Sequence, residues 1–138
     1  MMEGNQMGRP AYTMPFMDAM KSGLRNSFTM SGRSSRSEYW LWVLGGVIFQ
    51  ITMIVGAVIL GVMDIPVLPG LMMIAPILLV PGSITLVVRR LHDVGMSGWM
   101  FFVALIPFLG AIYLIYLFVQ EGDMEENMYG SVPTNMLE

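Results

Sequence analysis

Seven side chains stand where this chain could do chemistry. Arg33, Arg36 and Glu38 lie together just ahead of a long apolar run, and Arg89, Arg90, His92 and Asp93 close a second one. Opposite charges at two helix ends suit ion pairing across the helices, and an imidazole beside a carboxylate suits proton exchange or a polar tether. His92 is the one histidine, and there is no cysteine. Histidine clusters, thiolate metal sites, disulfides and thiol catalysis are therefore excluded. An enzyme acting through His92 and Asp93 is the weakest functional class, because no nucleophile, metal-ligand set or second carboxylate accompanies them. Sixteen methionines include Met14, Met17 and Met20 at a spacing that thioether ligands of copper could use. Without cysteine or a second histidine, methionine reads better as flexible apolar filler. No metal or cofactor is expected.

Local helix electrostatics do not account for the charges. Arg36 would face the positive end of a helix dipole and Asp93 the negative end of another. Arg89 and Asp93 stand at i, i+4, but in the less favourable order. A cross-helix cluster accounts for both: Arg33 or Arg36 with Asp93, and Glu38 with Arg89 or Arg90. Glu38 also fits a capping box with Ser35.

The elements that must position these groups follow from composition and run length. Hydrophobic residues make up 55% of the chain and charged residues 12%, against roughly 25% charged in soluble domains. The fold class is an all-α integral membrane protein. Three uncharged runs, 39–62, 67–88 and 99–119, each match or exceed the roughly 20 residues needed to cross the hydrocarbon core, so three transmembrane helices are expected. Pro69, Pro76 and Pro81 should kink or delay the second. Pro107 and Gly110 fall at mid-depth of the third, where a re-entrant hairpin is the alternative. Ahead of the spans, residues 15–28 place Phe16, Met20, Leu24 and Phe28 at i+4 intervals, with Asp18, Lys21, Ser22 and Arg25 on the other face. That is a short amphipathic helix, fit to lie in the headgroup layer or to pack on the protein's own end. Residues 1–13 read as a disordered tail, 14–120 as the membrane domain and 121–138 as an acidic tail. The first apolar run begins too far along to be a secretory signal, so it is expected in the mature protein.

Orientation follows from lysine and arginine. Arg9, Lys21, Arg25, Arg33 and Arg36 precede the first span, while Arg89 and Arg90 join the second to the third. In a three-span arrangement all lie on one side, which the positive-inside rule makes cytoplasmic. The amino terminus is then inside and the carboxyl terminus outside. Tyr39, Trp40, Trp42 and Trp99 fall at that boundary and read as interfacial anchors. Seven basic groups against Glu3, Asp18, Glu38 and Asp93 leave a positive surplus beside an anionic leaflet, with Lys21, Arg25 and Arg33 as lipid contacts.

Two segments, Gly32-Arg33-Ser34-Ser35-Arg36-Ser37-Glu38-Tyr39-Trp40 and Arg89-Arg90-Leu91-His92-Asp93-Val94-Gly95-Met96-Ser97-Gly98-Trp99, closely resemble the paired signatures of the domain-of-unknown-function 805 family, the YhaH-like bacterial inner-membrane proteins. Ile106-Pro107-Phe108-Leu109-Gly110 and Asn127-Met128-Tyr129-Gly130 extend the resemblance, the latter with Met128 where the family usually has arginine. The resemblance spans about 15–133 and implies a location in the bacterial inner (plasma) membrane, but no activity. The leading class is a non-enzymatic membrane protein whose cytoplasmic face binds anionic lipid headgroups or a membrane partner. The alternative is a transporter or channel component built by homo-oligomerisation, for which Ala57-x-x-x-Gly61 offers a close-packing pair; no charge lies within a span, where ion paths usually leave one. Nucleic-acid binding lacks a basic stripe.

Overall fold

Serine 35 opens the first long helix: its hydroxyl accepts the Glu38 amide at 3.2 Å, and no proline follows until Pro66. In the computed structural model, which describes residues 9–137, this helix, α2, runs Arg36–Val62 over 27 residues, or ~40 Å at 1.5 Å per residue. Its most apolar window is only 6% buried, and Val47, Ile51, Val55, Val58 and Ile59 are all about half exposed. A core helix of a water-soluble domain would hide these side chains, whereas hydrocarbon accepts them.

The second apolar run also becomes one helical stretch, Leu68–Asp93, 26 residues long. It comprises α3 (Leu68–Ile74), a 3-10 segment (Ala75–Leu79) and α4 (Val80–Asp93). Pro69, Pro76 and Pro81 each occupy one of the first two positions of their piece, where proline's missing N–H removes no intrahelical bond. The expected proline disturbance is thus a change of helix pitch. Among the described residues, two helices are long and apolar enough to cross a membrane. The described residues contain no named strand, only an isolated bridge between Asn127 and Gly130.

The third run differs from expectation. It is not one helix over 99–119 but a 3-10 segment, Gly98–Leu105, and a separate helix α5, Leu109–Val119. At ~2.0 Å per residue the 8-residue 3-10 segment spans ~16 Å, and the 11 residues of α5 span about as much. Each is roughly half of a ~30 Å hydrocarbon core. The reversal lies at Pro107 and Phe108, the latter held at φ 59°, a conformation costly for a bulky residue. Backbone groups at the tip are paired locally: Leu109 N donates to Pro107 O at 2.7 Å and Gly110 N to Ile106 O at 3.0 Å. Leu91 of α4 and Leu114, Leu117 and Phe118 of α5 form the buried core beneath the hairpin. The carboxyl-terminal tail therefore returns to the end of the bundle where α2 begins, and its expected position at the opposite end is corrected.

The α4 terminus shows how that end is shaped. Gly95 (φ 76°) follows it, Gly95 N donates to His92 O at 3.1 Å, and Met96 N donates to Leu91 O at 2.9 Å. This is the Schellman pattern, which needs a residue tolerant of positive φ. Ser97 then caps the 3-10 segment, accepting Trp99 N at 3.3 Å.

Helix α1 (Phe16–Arg25) packs through its small residues Ala19, Ser22 and Gly23, which are buried, and turns Phe16, Met17 and Leu24 outward. Trp42 is not an interfacial anchor. It is 4% exposed, wedged where a Cβ on Gly23 would collide with its ring and one on Gly82 would come within 2.9 Å of it. Its Nε1 donates to Ser83 Oγ at 2.9 Å. Trp99, by contrast, is 78% exposed. Trp42→Ala is expected to lower stability by about 3–5 kcal/mol through the cavity it leaves, read by denaturant or thermal unfolding in detergent. A loss below about 0.5 kcal/mol would show that the wedge does not hold α1.

Candidate functional site

At the end of the bundle where α2 begins and α4 stops, Asp93 is fully buried. An ionised carboxylate there needs donors to replace water, and guanidinium groups from three separate stretches supply them. Arg9 donates Nη1 to Oδ1 at 3.0 Å and Nη2 to Oδ2 at 2.6 Å. Arg33 Nε donates to Oδ1 at 3.0 Å, and Arg90 Nη1 makes a close ion pair with Oδ2.

The arginines also gather backbone carbonyls of the returning tail. A guanidinium carries five N–H donors, and Arg33 uses all of them. Beyond Asp93 Oδ1, its Nη1 reaches Glu125 O (2.8 Å) and Gly130 O (3.2 Å), and its Nη2 reaches Asp123 O (2.6 Å) and Asp93 O (3.4 Å). Arg90 likewise bonds Phe118 O twice, Gln120 O and Ser34 O besides Asp93. The Asp123 amide donates to Asp93 O at 2.8 Å. Asn127 Nδ2 donates to His92 O at 2.9 Å, and the rings of His92 and Tyr129 stack at 4.0 Å. His92 Nδ1 lies 3.0 Å from Gly32 O, so the imidazole tethers loop and tail.

A second pair sits beside the first. Glu38 is 4% exposed and accepts from Ser22 Oγ (2.7 Å), Ser34 Oγ (3.0 Å) and Arg89 Nη1 (3.2 Å). Its carboxylate thus faces the interior, while Ser35 caps α2 through the Glu38 backbone amide alone. Arg89 is 5% exposed, yet its Nε and Nη2 have no hydrogen-bond partner among the described residues. Each such buried orphan donor costs about 1–3 kcal/mol, and more on a charged group.

The cross-helix cluster thus brings together Arg33, Glu38, Arg89, Arg90, His92 and Asp93, but leaves Arg36 outside. Arg36 is half exposed, 3.6 Å from Glu121, because the first turn of α2 points it away from α4. Arg33, expected among the lipid contacts, is committed inward; Lys21 and Arg25 are exposed. Tyr39 packs between Trp40 and Phe118, and Trp40 Nε1 donates to Phe118 O at 3.2 Å, so both also hold α5. Residues 9–13, expected to be disordered, are tied down by Arg9 and by the bond from Tyr12 to Thr134 O at 2.7 Å; residues 1–8 and Glu138 lie outside the described residues. The residues missed were Arg9, Asp123, Asn127 and Tyr129. The one available signal was the Asn127-to-Gly130 motif, in which Met128 is 86% exposed and makes no demand on the cluster. Met14 is buried and Met17 exposed, so the methionine spacing does not converge on one point.

Removing one partner of a desolvated pair leaves the other charge buried, at about 3–5 kcal/mol. Asp93→Ala is expected to cost that much, and Arg36→Ala under about 1 kcal/mol. A double-mutant cycle in detergent should show coupling between Arg33 and Asp93 and additivity between Arg36 and Asp93. The reverse pattern would overturn the assignment.

Comparison with known proteins covers the same motifs. The model of a family described as "Protein of unknown function (DUF805)" matches residues 27–131. The chain is 37% identical over 112 residues to the inner membrane protein YhaI of Escherichia coli K12, covering 81% of this chain and 92% of that protein. It is 32% identical over 130 residues to the inner membrane protein YhaH of the same organism, covering 85% and 97%. No solved structure matches. The matched stretch contains both arginine motifs, the hairpin and the tail as far as Ser131, and on that ground the chain belongs to the DUF805 family.

Proposed function

We propose that this protein is a non-enzymatic, multi-pass component of the bacterial inner membrane, with two spans, one re-entrant hairpin and both ends in the cytoplasm, whose α1 surface binds anionic lipid. The carrying observation is the outward face of α1. Phe16, Met17 and Leu24, with Phe28 just beyond the helix, are 38%, 60%, 56% and 90% exposed, beside the exposed Lys21 and Arg25. Large apolar side chains interleaved with cations are the signature of a helix seated at the headgroup boundary. Its small-residue face is already used against the protein, so both roles foreseen for this segment coexist.

Return of the tail changes the electrostatic argument. Glu121, Asp123, Glu125 and Glu126 join Asp18, Glu38 and Asp93 at the end that carries all seven basic residues, and the positive surplus over that end disappears. Attraction to an anionic leaflet is then local to α1. Orientation is unaffected, because the positive-inside rule counts lysine and arginine and gives acidic groups little weight. The names of the two Escherichia coli relatives support the inner-membrane location.

The chain has no cysteine, so single cysteines introduced at Ser131 and Asp64 report topology cleanly. An impermeant maleimide applied to intact spheroplasts should label Asp64→Cys and spare Ser131→Cys. Labelling of Ser131→Cys would mean a third full span. For lipid, native mass spectrometry of protein extracted in mild detergent should find phosphatidylglycerol retained over zwitterionic lipid, and Lys21→Glu with Leu24→Ser should reduce it. If wild type shows no such preference, a protein partner replaces lipid as the better reading.

A further inference from the structure

Two cavities, of about 480 and 510 Å³, adjoin along α4 and share Met30 and Ile84 on their linings. Val80, Ile84, Val88 and His92 recur at i+4 and so lie on one face of the helix. Each of the four borders one cavity or both. From Val80 to His92 the groove runs ~18 Å at 1.5 Å per residue, close to the ~15 Å depth of one leaflet's hydrocarbon.

Its two ends differ. Near Val80 the polar groups are already spent: Thr85 Oγ1 donates to Asn26 O at 2.9 Å, and Ser27 Oγ to Leu24 O at 2.8 Å. At the other end Trp99 and Phe102 stack at 5.7 Å, 78% and 52% exposed. Neither lining includes a lysine, an arginine or a carboxylate.

His92 supplies the polar atom there. Its Nδ1 lies 3.0 Å from Gly32 O. A carbonyl only accepts, so that nitrogen carries the ring hydrogen, and Nε2 of the neutral imidazole is left as an acceptor. Nε2 bonds to nothing among the described residues and, unlike the two orphan donors of Arg89, is not sealed from the surface. It looks toward Gly98, where the missing side chain keeps the approach open. A Cβ at Gly98 would stand 3.5 Å from Nε2 and 2.8 Å from Val88 Cγ1, and both residues border the cavity.

We propose that this groove binds a neutral, membrane-dissolved amphiphile with a hydroxylated aromatic head, of the phenol or quinol kind, and one hydrocarbon chain. The head lies against Trp99 and Phe102 in the offset manner aromatic rings prefer, and its hydroxyl donates to His92 Nε2. The chain follows Val88, Ile84 and Val80. A phospholipid fits less well, because no cation on the lining meets its phosphate. The inference does not depend on anionic lipid at the α1 surface: it uses His92 and Ile84, that reading uses Lys21 and Leu24, and either can fail alone.

The test uses full-length protein in nanodiscs of phosphatidylcholine, a lipid without hydrogen-bond donors. The chain has one histidine, so nitrogen NMR of histidine-labelled protein reports on His92 alone. Added para-decylphenol should shift the Nε2 resonance and leave Nδ1 nearly unmoved; its methyl ether, which lacks only the hydroxyl hydrogen, should shift neither. Native mass spectrometry then counts retained ligand. His92→Asn keeps a donor where Nδ1 stood and removes Nε2, and should weaken retention of the phenol by about five- to tenfold. Ile84→Trp blocks the groove midway without touching His92. It should weaken retention by about tenfold or more, with the Nδ1 resonance in place to show that the polar end is intact. The proposal is overturned if the phenol leaves Nε2 unmoved, if the methyl ether or monodecanoylglycerol is held as tightly as the phenol, or if either variant retains it like wild type.

Discussion

The buried carboxylate of Asp93 is the constraint on which the rest of the structure depends. A charge with no access to water must be met by donors close at hand, and one cation does not fill the acceptor sites of a carboxylate. Asp93 is met by Arg9, Arg33 and Arg90, which come from the amino-terminal segment, the loop before α2 and α4 itself. Three cations around one anion would leave an excess of buried positive charge. Backbone carbonyls of the tail, at Phe118, Gln120, Asp123, Glu125 and Gly130, take up the remaining donors. The tail is therefore part of the solution to a buried charge, and the chain must bring it back to the end from which α2 departs.

That requirement explains why the third apolar run is not the single helix its length favoured but two shorter pieces, as the re-entrant alternative at Pro107–Gly110 has it. A run of 21 uncharged residues has enough hydrophobicity to span a bilayer, and length alone favours one helix. The decisive information lies in the charges on either side. Pro107 and the positive φ of Phe108 permit the reversal, but what demands it is the arginine cluster waiting for carbonyls. Long-range polar bonding of this kind leaves no periodic trace in the sequence. For the same reason Arg9, alone in a glycine- and methionine-rich stretch, gave no sign of its role.

Features governed by local rules were legible. Ser35 as a cap, Gly95 as a helix terminus and the lengths of the two long apolar runs follow from residue type and spacing within a few positions. So did the demand that Arg33 or Arg36 meet Asp93, since helix dipoles made the lone charges costly; the choice between the two arginines needed the rotational phase of α2. Trp42 was misread for a related reason. Aromatic residues near a membrane boundary usually anchor there, and only the two glycines opposite, Gly23 and Gly82, reveal a slot cut to receive its ring.

Topology and recognition draw on the same cations at different moments. Orientation is decided while the chain inserts, when arginines are counted and their eventual partners are not yet in place. Once the end has closed, Arg33 and Arg90 are consumed by internal bonds and no longer present charge to a leaflet. Arg89 departs from that pattern. Arg33 and Arg90 each make five bonds, whereas two donors of Arg89 are buried without an acceptor among the described residues. Buried donors are satisfied almost everywhere in native proteins, so that unmet edge is a standing cost which the surrounding pairs must offset.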